Sequence, residues 1–124
     1  MNDLRLCVLI VDDEFLIAEA LSLHMEDLGL AVCGIADTAD DAVALAQEHR
    51  PMLVLMDMRL RGEKDGVDAA LAIHELVGSK VIFITGSREP ATMSRIQLDH
   101  PFRVLFKPFS GVGLRTTIAA ALAR

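Results

Sequence analysis

LCVLIVDDE, residues 6–14, is the stretch on which the fold turns. Leu6 to Val11 is an unbroken apolar run, and three acids, Asp12, Asp13 and Glu14, cut it off. A run this short, without polar alternation, predicts a strand covered on both faces, as in a parallel sheet packed by helices. Directly after it, Ile17, Leu21, Met25 and Leu28 follow the i, i+4, i+8, i+11 series of one helix face, and Gly29 is a suitable stop. Strand, acidic turn and helix together make one βα unit.

The same unit recurs along the chain. Further strand-length apolar runs are Leu30 to Ile35, Met52 to Met56, Val81 to Ile84, and Val104 to Phe106 with Phe102 ahead of it. Between them, Thr38 opens a second helix with Ala42, Leu45 and Ala46 inward; Ala70, Ile73 and Val77 line a third that stops at Gly78. Pro90 opens a fourth, followed by Met93, Ile96 and Gln97, and Leu114, Ile118, Ala121 and Leu122 mark a fifth. Strand ends near 12, 35, 57, 85 and 107 give spacings of 23, 22, 28 and 22 residues. Five βα units therefore fill residues 1–124 as one domain, the long spacing being an extended charged loop from Arg59 to Gly66.

Composition sets the outer limits. With 52% hydrophobic residues in 124, the chain can bury roughly two-thirds of its unfolded surface without disulfides or structural metal. Twelve Lys and Arg against 18 Asp and Glu give a net charge of −6 with no basic run, which argues against nucleic-acid binding through the whole surface. Cys7 and Cys33 lie in apolar stretches and suit core thiols in a reducing compartment. No run is long enough for a membrane span, so the expected setting is cytoplasmic. The scattered methionines read as core filler, and His24, His49, His74 and His100 as surface residues without metal spacing. Glu14 is expected to cap its helix or face water.

In an α/β sheet the ligand site lies beyond the carboxyl ends of the strands. Those ends carry Asp12 and Asp13, then Asp57, then Thr85, then Lys107. If the first strand sits between the second and third, three carboxylates, a hydroxyl and an ammonium converge. Carboxylates so close repel one another unless cations sit among them. Lys107 supplies one positive charge, and an oxygen-only donor set suits Mg²⁺ for the rest. Asp57, alone on its strand, is then placed to attack a phosphoryl group, with Thr85 and Lys107 to bind its equatorial oxygens.

LIVDDE, LVLMDMRL, VIFITGS and LFKPF, in this order and spacing, resemble the receiver domain of two-component response regulators over essentially the whole chain. The resemblance implies a flavodoxin-like (βα)5 fold, a doubly wound five-stranded parallel sheet of order 2-1-3-4-5. It implies Asp12 and Asp13 as metal-binding acids, Asp57 as phosphoacceptor, Thr85 as switch hydroxyl and Lys107 as phosphate-contacting lysine. Pro108 would follow a cis peptide bond, Gly86 would close the switch strand, and the main-chain carbonyl of Arg59 would complete the Mg²⁺ ligands. The phosphodonor would be a phosphohistidine on a sensor histidine kinase or a histidine phosphotransfer protein. Output would pass through a downstream protein partner at the face of the fourth helix, fifth strand and fifth helix, or the domain would serve as a phosphate sink. With the chain ending at Arg124, no output domain is expected.

Three features depart from the family pattern. Val104 stands where an aromatic residue is usual, with Phe102 and Phe106 sharing its parity on the strand; Arg61 replaces a common proline; and the loop carries one extra residue before Asp65-Gly66. Phe83-Ile84-Thr85-Gly86 and Pro101-Phe102 before Lys107 are similar to single-domain receivers of general stress and light signalling in alphaproteobacteria. Arg59 either contacts the phosphoryl group or donor, or is a solvated loop residue. Two other functions stay open: a docking module independent of phosphorylation, and an aspartyl phosphatase like the haloacid dehalogenases. The latter family needs a second Asp where this chain has Arg59.

Overall fold

The computed structural model describes residues 7–123, so the predicted strand residue Leu6 lies outside the described residues. The strands are β1 (Cys7–Val11), β2 (Ala31–Ala36), β3 (Leu53–Asp57), β4 (Lys80–Thr85) and β5 (Arg103–Phe106). The helices are α1 (Phe15–Asp27), α2 (Ala39–His49), α3 (Gly66–Leu76), α4 (Pro90–Gln97) and α5 (Gly111–Leu122). All four pairings are parallel, in the order β2-β1-β3-β4-β5, so β1 lies between β2 and β3 as the site requires.

Strand alternation divides the apolar residues into two cores. Leu9, Val11, Val54, Met56, Val81 and Phe83 face one side, where Ala42 and Ala46 of α2, Ala70 and Ile73 of α3 and Ile96 of α4 cover them. Val8, Ile10, Leu53, Leu55, Ile82 and Ile84 face the other, under Leu21 and Met25 of α1 and Leu114 and Ile118 of α5. Each large side chain so buried stabilises the fold by roughly 1.5–3 kcal/mol. The alanines of α2 and α3 let those helices lie close to the sheet, while in α4 Ile96 is buried and Gln97 is exposed.

Local signals end the helices where expected. Gly29 and Gly78 take positive φ of 79° and 85° after α1 and α3, a region that costs other residues more. Thr38 caps α2, its hydroxyl accepting from the Asp41 N–H at 3.1 Å. Asp65 caps α3 in a reciprocal capping box with Asp68. β2 departs from expectation: as an edge strand it leaves Ala31 and Ile35 exposed, and a register shift against β1 places Cys33 at a bulge. Cys7 is buried as predicted; Cys33 is half-buried, and burial pushes its thiol up to about 12, the range of an inert thiol.

Phe102 is a second correction. It precedes β5, where strand parity does not apply, and packs in the α1/α5 core, whereas Val104 packs in the other with Met93. Lys80 and Arg103 lie 5.0 and 4.5 Å from the Phe102 ring centre. His74 is a third: it is half-buried, and its Nδ1 sits 2.8 Å from the carboxylate of buried Asp99 just beyond α4.

Gly66 opens α3 with its Cα against the end of β3. A Cβ there would overlap the main-chain oxygen of Asp57, while one on Gly86 would meet nothing within 4 Å. Gly66→Ala is expected to lower stability by about 1–3 kcal/mol and Gly86→Ala to change it little, as measured by urea unfolding.

Candidate functional site

Asp57 ends β3, Thr85 ends β4, and Asp12, Asp13 and Lys107 follow directly on β1 and β5. Each strand end is anchored by the apolar residues before it, so the polar groups at one edge of the sheet inherit its rigidity. One carboxylate oxygen from each of Asp12, Asp13 and Asp57 can be chosen so that all three lie within 4.8 Å of one another. Lys107 Nζ is 3.3 Å from Asp57 Oδ1, 3.5 Å from Asp12 Oδ2 and 3.7 Å from Glu14 Oε1. The Lys107-Pro108 peptide bond is cis.

Asp12 and Asp57 are only 3% and 7% exposed. Burial, reinforced by the neighbouring Asp12 charge and only partly opposed by Lys107, raises Asp57 to about 6 from an ordinary 3.8. Asp12 is raised as well, chiefly by burial, against a hydrogen bond from the Glu14 N–H and the attraction of Lys107. Burial pulls Lys107 down, but Asp57 and Asp12 outweigh it, so the ammonium is held above its usual range. Three carboxylates thus face one close ammonium, and the donor set is hard oxygen. That combination fits a divalent cation of the Mg²⁺ type, which takes carboxylates while keeping waters.

The edge opens into a cleft of about 770 Å³ lined by Asp13, Asp57, Arg59, Thr85, Ser87 and Lys107, among others. Thr85 Oγ1 accepts from the Ser87 N–H at 3.1 Å, and Ser87 Oγ bonds Thr92 Oγ1 at 3.2 Å, tying the end of β4 to the first turn of α4. Exposed Arg88 covers the Phe106 ring at 3.8 Å.

The five groups named from the sequence meet at one place. Gly86 is exposed at the cleft, Arg59 lines it, and Val104 is half-buried and packs against the core on the α2 and α3 side. Glu14 occupies the N-cap position of α1, but its side chain makes no cap; it is exposed and leans toward Lys107. Ser87, Thr92 and Gly66 were not singled out. The polar run after Thr85 carried a signal for Ser87, while the fit of Gly66 to Asp57 depends on α3 docking on β3.

Because Asp57 binds a proton more tightly folded than unfolded, its contribution to stability falls as pH rises from about 4 to about 6. In chelator-treated protein above that range, Asp57→Asn is expected to raise stability by ~1–2 kcal/mol in urea unfolding, with a smaller gain at pH 4.

The family model of the response regulator receiver domain matches residues 8–119. The phyllosphere-induced regulator PhyR of Methylorubrum extorquens is 35% identical, over 97% of this chain and 45% of its own length. The transcriptional regulatory protein PdtaR of Mycobacterium tuberculosis is 32% identical, over 94% of this chain and 57% of its own. The chain therefore spans about half the length of these relatives. The signal receiver domain of a modulated diguanylate cyclase from Desulfovibrio desulfuricans G20 superposes with a TM-score of 0.88 at 36% identity, covering 94% of this chain and 92% of that one. With a sheet of this order, an acidic edge closed by a lysine and a family match along nearly its whole length, the chain belongs to the response regulator receiver domains of two-component signalling.

Proposed function

We propose that the domain is a phosphoacceptor switch in which Asp57 takes a phosphoryl group from a phosphohistidine on a sensor histidine kinase or histidine phosphotransfer protein. The observation that carries this reading is the position of Lys107 Nζ, 3.3 Å from Asp57 at the edge of an open cleft. An ammonium there both keeps the nucleophile ionised and awaits the charge that an acyl phosphate adds.

A carboxylate oxygen of Asp57 forms the new P–O bond in line with the breaking P–N bond, and the donor imidazole leaves carrying a proton. Lys107 and the Thr85 hydroxyl bind equatorial oxygens, Thr85 turning from the Ser87 N–H to do so. Arg59 at the mouth attracts the anionic donor. Asp12, Asp13, Asp57 and the main-chain carbonyl of Arg59 would hold Mg²⁺, whose charge offsets that of the phosphoryl oxygens. Water attack on phosphorus later restores the carboxylate and releases phosphate. Pro108 and Gly86 shape the backbone beside Lys107 and Thr85. The changed charge repacks the face of α4, β5 and α5 for a downstream protein partner, and the setting is cytoplasmic.

Arg59 favours a switch over a phosphatase, since that position would need a carboxylic acid to protonate a leaving group. Incubation with Mg²⁺ and acetyl phosphate is expected to add one base-labile phosphoryl group, seen by intact mass. Chelation and Asp57→Asn abolish it, and Lys107→Ala slows it by roughly 10²-fold. An adduct that persists in Asp57→Asn contradicts the assignment. Partner binding unchanged by Asp57→Ala favours phosphorylation-independent docking.

A further inference from the structure

α4 is held in place by unusual means. It has only eight residues and buries only Ile96 fully, whereas α3 buries five. Apolar packing fixes it weakly, so its polar ties carry more weight. The strongest of these reaches back to the acceptor loop. Arg95 Nε donates to Asp65 Oδ2 at 2.7 Å and Nη2 to Asp65 Oδ1 at 3.0 Å, a two-pronged fork, and Nη2 also meets Asp68 Oδ1 at 3.0 Å.

The residues gripped are those that register the position of Asp57. Asp65 is the N-cap of α3, locked by reciprocal bonds with Asp68 of 2.9 and 3.0 Å. Gly66, next in the chain, donates its N–H to the Met58 carbonyl at 2.8 Å and has no room for a Cβ against the Asp57 main chain. A shift of the Asp57 backbone is therefore passed to Gly66 and Asp65 without slack, and from Asp65 through a rigid planar fork to α4. At position 104, where an aromatic could swing, Val104 is a short, half-buried side chain packed against the core on the α2 and α3 side. Its β-branched stem has no long arm to move.

We propose that the Asp65–Arg95 fork is the link by which the state of Asp57 is read on α4, in place of an aromatic side chain at position 104. The inference rests on Asp57 being the phosphoacceptor. Arg95 and Asp65 act as positioning residues, with no contact to the reacting atoms. The two states differ in where the first turn of α3 sits, and the fork obliges α4 to follow.

The test uses ¹⁵N-labelled protein with Mg²⁺ and acetyl phosphate, the adduct measured by intact mass and the response by backbone amide shifts. Arg95→Lys keeps the charge and removes the fork, while Asp65→Asn keeps the helix cap and removes the ion pair. Wild type is expected to shift the amides of Met93 to Gln97, beyond the Ser87–Thr92 tie, on phosphorylation. Both variants form the adduct and shift the amides around Thr85 and Lys107 in full, but their α4 shifts fall several-fold. The double variant is no worse than either single one, because the two residues form one link. Full α4 shifts in phosphorylated Arg95→Lys and Asp65→Asn overturn the inference. No adduct on wild type overturns the phosphoacceptor reading, and this inference with it, before any shift is compared.

Discussion

The attraction between one ammonium and the carboxylates crowded around it is the interaction on which the rest of this structure depends. Lys107 lies within 3.3 to 3.7 Å of Asp57, Asp12 and Glu14, while Asp13 shares the same edge. Neither Asp12 nor Asp57 is comfortable there, since burial raises both. Such a site persists only if the backbone cannot relax away from it, and the buried strands β1, β3 and β4 provide that rigidity. A hard cation at that edge would find its counter-charges already in place.

The cores explain why this edge is rigid while another part of the molecule stays able to respond. β1, β3 and the inner residues of β4 are buried on both faces, so a charge added at Asp57 cannot be absorbed by the sheet. Polar contacts lead outward from this edge to α4. Thr85 connects through Ser87 to the start of α4, and Asp65 connects through Arg95 to its far end. Past that end, buried Asp99 is tied to His74 of α3. A helix fastened by charge and hydroxyl groups more than by apolar area is the element a change of charge can move.

What the sequence revealed was governed by range. Strand ends were legible because Asp12, Asp57, Thr85 and Lys107 each interrupt an apolar run, and the period of strand and helix placed those interruptions on one edge. Gly29, Gly78 and Thr38 were legible because a stop or a cap depends on neighbours a few residues away. The Asp65–Arg95, His74–Asp99 and Arg88–Phe106 contacts were not, since each joins side chains from different elements and nothing in local pattern pairs them. Phe102 was misplaced because alternation was extended past the start of β5. The exposure of β2 escaped notice because an edge strand of small and apolar residues reads like a central one.

The most direct measurement of the central claim is the ionisation of Asp57 itself, followed by ¹³C NMR of its carboxyl carbon across pH, with and without Mg²⁺. Burial, with crowding by Asp12, predicts a midpoint near 6 in the chelated protein, displaced to lower pH when Mg²⁺ is added. A midpoint near that of an ordinary aspartate, indifferent to Mg²⁺, would contradict the account.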